Sequence, residues 1–227
     1  LVVGSSLQKE RFSLLNKSIT VVTDAITDDI LSFRATYSDP PRCRIVWFGN
    51  VASLHGFMAV GNALDVLAAG KKTELLLITS DYRQGRYLGK SPHSVQEFIA
   101  RQKMPCRWIQ WNSSTFLSEI AAGDIGIVPV QCGSPFAQAK PAGRALLMMG
   151  MGLPVLTSPI ASYEEVIEEG VTGFIARSPE EWIREISNLA NSSALRQAIG
   201  MRSAAFVREN FSEQAFVKKY LQVLGSV

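Results

Sequence analysis

The sequence predicts an α/β fold, a doubly wound parallel sheet of about six strands with helices on both faces. Short β-rich runs alternate with longer segments of helical period, as parallel strands joined by crossover helices do. Several runs, among them Ile45-Val46-Trp47-Phe48 and Leu75-Leu76-Leu77-Ile78, are apolar throughout, which suits strands covered on both faces. The 227 residues are 47% hydrophobic and 19% charged, with a mean hydropathy of +0.11. That is the composition of a well-buried globular chain and excludes disordered and fibrous classes.

Residues 1–24 read as strand, helix (7–15) and strand (19–23), and begin with Leu-Val-Val-Gly-Ser. With neither an initiator Met nor the charged start of a signal peptide, the chain is expected to be a fragment that opens inside a strand. An aspartate-rich stretch with a double proline, ending at Pro41, reads as a linker. The six strands are expected at 44–49, 74–80, 106–111, 125–130, 154–158 and 173–177. Between them, Phe57, Val60, Leu64 and Leu67 recur at helical spacing, as do Val217, Tyr220, Leu221 and Leu224 near the end, so each segment has one side to bury. Capping boxes mark four helix starts: Ser5 with Gln8, Ser94 with Glu97, Ser162 with Glu165, and Ser178 with Glu181, the last followed by Pro179. Trp47, Trp108, Trp182 and the cluster Met148, Met149 and Met151 read as core. The run Glu164, Glu165, Glu168 and Glu169 reads as the solvated face of a short helix.

Several function classes drop out. A net charge of +3, evenly spread, argues against nucleic acid. Cys43, Cys106 and Cys132 have no metal-ligand spacing, and their odd number suits reduced thiols rather than a disulfide framework. The longest apolar run, 145–156, is interrupted by glycines and Pro154 and falls short of the roughly 20 residues that span a bilayer. His55 and His93 have no Ser or Cys partner placed by a nucleophile motif.

In a doubly wound sheet, ligands gather at the carboxyl ends of the strands, near the point where strand order reverses. Two loops meet that rule. Residues 48–56 carry glycines at either end, Gly49 and Gly56, and lead into a helix; they suit either an anion-binding loop or a plain turn with glycine at positive φ. In Phe136-Ala137-Gln138-Ala139-Lys140-Pro141-Ala142-Gly143-Arg144, two cations lie just before and within the first turn of an apolar helix, where the helix dipole disfavours them. An anionic ligand removes the anomaly: backbone N–H groups, a Lys point charge and an Arg fork together suit a diphosphate. The competing reading is a surface Lys and an Arg paired with a carboxylate such as Asp124. Trp111 and Asn112, at another strand's carboxyl end, could border a base or ribose.

The chain resembles the family-four-type glycosyltransferases. The resemblance is carried by Gly152-Leu153-Pro154-Val155 followed by Tyr163-Glu164-Glu165-Val166 and Gly170-Val171-Thr172-Gly173. It extends upstream to Asp124-Ile125-Gly126-Ile127-Val128-Pro129 and downstream to Asn210-Phe211-Ser212 with the helix through Tyr220. It implies the carboxy-terminal half of a GT-B fold, a Rossmann-like domain that holds a nucleotide-sugar donor. The implied division is 1–24 as remnant of a preceding domain and crossing strand, 25–41 as linker, 42–211 as donor-binding domain and 212–227 as C-terminal helix.

The expected diphosphate site is Gly49, Asn50, His55, Lys140, Gly143 and Arg144. Ser80, Asp81, Trp111 and Asn112 are expected on the nucleoside side, and no catalytic residue is assigned. Asn50 and His55 stand where the family usually has Arg and Lys, and its paired glutamates fall at Ala139 and Leu147. The implied activity is sugar transfer from a nucleotide-diphosphate sugar to a glycan or lipid acceptor bound through a preceding domain. No metal or other cofactor and no nucleic acid is expected. The expected location is cytoplasmic, with peripheral contact at the inner membrane face open to the full-length protein. The alternatives are a degenerate, non-catalytic module of the same build and a sugar-nucleotide epimerase.

Overall fold

The computed structural model describes residues 1–33, 35–80, 95–133 and 135–225. Asp81, Tyr82, His93 and the expected cap Ser94 lie outside the described residues. A small parallel pair, β1 (Val2–Val3) and β2 (Thr20–Val21), is bridged by α1 (Ser6–Phe12). Ser5 caps α1 by accepting from the Gln8 N–H at 3.3 Å. The helix ends at Phe12, short of the expected 15, and Leu14 and Leu15 stand exposed.

The main sheet has six parallel strands: β3 (Cys43–Phe48), β4 (Thr73–Thr79), β5 (Cys106–Gln110), β6 (Ile125–Val128), β7 (Val155–Thr157) and β8 (Phe174–Ile175). Their spatial order is β5-β4-β3-β6-β7-β8. The chain winds outward from β3 in one direction, then restarts at β6 and winds in the other, so the switch point lies between β3 and β6. Alternation along β3 serves both faces, Val46 facing one core layer while Ile45 and Trp47 face the other, and all three are buried. One layer packs under α2 (Asp28–Ser32), α5 (Phe116–Ala121), α7 (Gly143–Gly150) and α8 (Ala161–Glu164). The other packs under α3 (Ala63–Ala69), α4 (Val95–Ala100) and α9 (Pro179–Ala190). The methionines 148, 149 and 151 are buried in the first layer.

The segment after β3, expected to be a long loop and one helix, is a 3₁₀ helix (Val51–Val60) followed by α3. Gly61, at φ +58°, makes the break. Phe57, Val60, Leu64 and Leu67 are all buried, so the apolar spacing identified the face but not the kink. A short helix, α6 (Pro135–Gln138), interrupts the expected loop before α7. The closing helices α10 (Ser193–Phe211) and α11 (Glu213–Leu224) part at Ser212, which caps α11 by accepting from the Ala215 N–H at 3.3 Å. The expected burial of the α11 face fails: Val217, Tyr220, Leu221 and Leu224 are exposed because the helix runs past the sheet with α10 as its main neighbour. Among the described residues, no single helix is long and apolar enough to cross a membrane.

The stretch expected as a linker packs into the first core layer through Ile26, Leu31 and Ala35. Its far end is held by Arg196, which is 0% exposed. That guanidinium donates to the Leu189 carbonyl at 2.6 Å, to the Ser38 carbonyl, and to Asp39 at 3.3 Å. Replacing this buried cation removes its bonds to two backbone carbonyls and to Asp39. Arg196→Met is therefore expected to lower stability by about 2–3 kcal/mol in urea unfolding, with cleavage by a protease enhanced around residues 36–41.

Candidate functional site

At the carboxyl end of the switch point lies an open cleft of about 430 Å³, lined by Phe48, Gly49, Asn50, Ser53, Lys140, Pro141, Gly143, Arg144, Leu147 and Tyr163. Phe48 ends β3, and the next three follow it. Asn50 begins the 3₁₀ helix, its side chain accepting from the Ala52 N–H at 2.9 Å. A Cβ at Gly49 would lie 3.1 Å from the Arg144 Nη1 and 3.2 Å from the Trp47 ring, so a side chain there would crowd both.

The opposite wall is the start of α7. Its N-cap is Ala142, with no side-chain cap bond and no acidic residue in the first turn. Arg144 Nη1 donates to the Phe48 carbonyl at 3.3 Å, linking α7 to the end of β3. The Tyr163 side chain lines the same cleft beside the guanidinium. The expected competitor, Asp124, is engaged elsewhere: at the amino edge of the sheet it accepts from Arg44 Nε at 2.9 Å, Arg44 Nη2 at 3.2 Å and the Arg44 N–H at 2.7 Å. Among the described residues no carboxylate pairs with Arg144.

Lys140 is half-buried, and burial first, then the positive charge of Arg144, lowers its pKa below that of an ordinary lysine. Tyr163 is 1% exposed. Burial raises its phenol, against a smaller opposing effect of Arg144, so the hydroxyl stays protonated at neutral pH. The backbone at the cleft's edge is held from two sides. Gln8 on α1 donates to the Ala139 carbonyl at 3.2 Å, and Ser162 on α8 donates to the Lys140 carbonyl at 2.6 Å.

Of the expected residues, the structure thus brings Gly49, Asn50, Lys140, Gly143 and Arg144 to one cleft. His55 does not line it: the chain is already helical there, and His55 Nδ1 is turned back onto the Ala52 carbonyl. Ser80 ends β4. Trp111 and Asn112 sit beyond β5, two strands out from β3, with Trp111 tilted against Phe116 at 5.8 Å and Asn112 accepting from the Ser114 N–H at 2.8 Å. Asp81 lies outside the described residues. The Ser162 capping box is corrected, since Ile160 occupies the cap position and Ser162 is inside the helix, its hydroxyl spent on Lys140. Glu164 and Glu169 are not merely solvated; they pair with Arg177 at 3.1 and 3.5 Å. Tyr163 went unread as a site residue because an apolar-to-aromatic position in a helical run signals core, and only its neighbours in space reveal a second role. No group of three or more His, Cys, Asp or Glu that could hold a metal ion occurs among the described residues.

Residues 42–192 match the profile of the family Glycosyl transferases group 1, and the chain belongs to that family. Its fold is that of a GT-B glycosyltransferase carboxy-terminal domain. It superposes on the C-terminal domain of the group 1 glycosyltransferase LpcC from Francisella tularensis with a TM-score of 0.59 and 16% identity, covering 82% of this chain and 98% of that one. The Anabaena protein Alr3699/HepE, crystallised in complex with UDP-glucose, gives a TM-score of 0.76 at 15% identity over 100% of this chain and 63% of its own. In sequence, spore coat protein SA of Bacillus subtilis (strain 168) is 35% identical over 78 residues, 33% of this chain but only 21% of that protein.

The placement of Asp124 yields a test that separates scaffold from site. Asp124→Ala removes the acceptor of a guanidinium and a backbone N–H, and is expected to cost about 2–3 kcal/mol of stability in denaturant unfolding. Affinity for a nucleoside diphosphate, measured on the folded variant by calorimetry, is expected to stay the same.

Proposed function

We propose that this chain is the donor-binding half of a nucleotide-sugar-dependent glycosyltransferase, and that the cleft holds the donor diphosphate. One observation carries the reading: Lys140 and Arg144 converge on a crevice at the carboxyl ends of parallel strands, beside a helix start that has no acidic cap. The positive end of a helix disfavours cations, and an anion between them reverses the sign of the interaction. A diphosphate offers oxygens for the Arg fork, the Lys point charge and the backbone N–H groups of the first turn. These groups would stabilise charge as it develops on the departing nucleoside diphosphate, which is the largest contribution a protein makes to such a transfer. The family membership supports the reading, as does the UDP-glucose held by HepE on a similar fold.

On this reading 42–211 is the donor domain, 25–41 packs into its core instead of serving as a free linker, and 1–24 is the end of a preceding domain that binds a glycan or lipid acceptor. Residues 212–227 form the closing helix. The transfer proceeds without a metal ion, in the cytoplasm or at the inner face of the membrane. The base extends from the cleft along the strand ends toward Ser80, Trp111 and Asn112. A second reading, a binding module without catalysis, is favoured by Ala139 and Leu147, apolar residues where the family has glutamates. Product analysis on the intact protein with nucleotide-sugar donors decides between them. The chain by itself is expected to show no sugar transfer, and its detection with the purified 227 residues would overturn the division of labour.

Lys140→Ala and Arg144→Ala in the intact protein are each expected to weaken binding by about 1.5–3 kcal/mol, the range for hydrogen bonds to charged groups. The loss is expected to be larger for a nucleoside diphosphate than for the nucleoside. Stability without ligand is expected to hold or to rise by about 0.3–1 kcal/mol, because a cation leaves the positive end of a helix. Destabilised variants with unchanged affinity would sink the assignment.

A pH series adds a check. Because the protonated lysine binds and its pKa is depressed, affinity is expected to decline with rising pH at a lower pH than an ordinary lysine would give. Lys140→Arg, whose guanidinium keeps its proton, is expected to flatten that decline in calorimetric titrations.

A further inference from the structure

We infer that Gln8 is a positioning residue for the cleft: from α1 it holds the backbone of the segment that leads into Lys140 and Pro141, so that a seated N-terminal unit and an anion in the cleft stabilise each other. The inference rests on the diphosphate reading and adds to it the means by which one wall of the cleft is held from outside the main sheet.

The N-terminal unit is anchored at one end. Helix α1 has no buried residue, and Phe12, Leu14 and Leu15 beyond it stand exposed. At its other end Val3 and the cap Ser5 are buried. Between these two, a Cβ at Gly4 would lie 3.9 Å from the Pro141 Cβ, an ordinary contact distance. The turn from β1 into α1 therefore abuts the loop that supplies Lys140 and Pro141 to the cleft lining.

A single amide spans this contact. Gln8 Oε1 accepts from the Gly4 N–H at 2.8 Å, and Gln8 Nε2 donates to the Ala139 carbonyl at 3.2 Å. In an ordinary capping box the side chain at this position closes back on the N–H of the cap residue itself. Here it bonds the N–H one residue earlier, and its other end is turned to Ala139. The Gly4 bond also fixes the direction of the amide, since the reversed amide would set donor against donor and acceptor against acceptor. The position thus calls for one acceptor and one donor on the same short side chain; a Glu offers only acceptors and a Lys only donors.

Ala139 directly precedes Lys140 and lies three residues before the α7 N-cap, Ala142. A shift at Ala139 therefore carries to Lys140 and to the first N–H groups of α7, the groups assigned to the diphosphate. An anion that needs this segment in place favours the seated α1, and by linkage the seated α1 favours the anion to the same degree.

The test uses the intact protein with two probes, inorganic pyrophosphate and UDP. Gln8→Met keeps the length of the side chain and deletes both bonding ends, while the Ser5 cap, which uses the Gln8 backbone N–H, stays in place. By calorimetry it is expected to raise Kd roughly 2- to 10-fold for both probes, the equivalent of one hydrogen bond. Lys9→Met, at the neighbouring exposed position on α1, is the control and is expected to leave Kd unmoved. The reciprocal effect is read by hydrogen exchange: pyrophosphate is expected to slow amide exchange across residues 5–12, and the slowing is expected to vanish in Gln8→Met. A purely structural Gln8 would change the unfolding midpoint and leave both readouts where they were. With the loss on Arg144→Ala as expected, unchanged Kd on Gln8→Met, or exchange across α1 that ignores pyrophosphate, would overturn the positioning role and leave the diphosphate reading standing. Unchanged affinity on both Lys140→Ala and Arg144→Ala would overturn that reading and this inference with it.

Discussion

Where β3 meets β6, the two halves of the sheet are joined by only two registered residue pairs, Ile45 with Ile125 and Val46 with Gly126. The crevice exists because of that join, since the chain leaves these neighbouring strands toward opposite faces of the sheet. A join so short needs support at its base, and Arg44 with Asp124 supplies it. Their side chains pair at 2.9 Å, the Arg44 N–H donates to the same carboxylate at 2.7 Å, and the Asp124 N–H donates to the Arg44 carbonyl at 2.9 Å. The register is thereby locked at the amino edge, and the opposite edge is free to carry loops.

Those loops are drawn together by different means. On the β3 side, a 3₁₀ helix begins at once after Gly49 and Asn50, keeping the wall low and close. On the β6 side the chain makes a detour through α6 before α7 begins, and this detour is pinned by side chains from two other elements, Gln8 on α1 and Ser162 on α8. Elements distant in sequence therefore set the position of a four-residue stretch, Lys140 to Gly143. The N-terminal unit is joined to the cleft by the same contact, which couples the first residues of the chain to the proposed donor site.

The charges in this molecule are sorted accordingly. Carboxylates serve the scaffold: Asp124 with Arg44, Glu164 and Glu169 with Arg177, Asp39 with the buried Arg196. Among the described residues, the cleft's own lining contains cations, amides, hydroxyls and apolar groups, and no carboxylate. Leu147 makes the same point from the apolar side, one turn along α7 from Arg144.

The amino-acid sequence by itself determined the strands, because short β-rich runs alternate with longer segments of helical period, and several of those runs are apolar at successive positions as strands covered on both faces must be. All six appear within a few residues of their expected bounds, and the Ser5 and Ser178 caps hold as read, because a cap is a contact made within four residues. The cation pair at the start of α7 was legible for a similar reason, as a local violation of the helix dipole's preference. Tertiary structure alone decided the rest. Whether His55 faces a loop or its own helix turn depends on where a 3₁₀ helix starts. Whether Arg144 pairs with Asp124 depends on which end of the sheet each residue occupies. The redirection of Ser162 from cap to clamp depends on a carbonyl that approaches from elsewhere in the chain. Periodicity and local caps are properties of neighbours in sequence, whereas the geometry of the cleft is a property of neighbours in space.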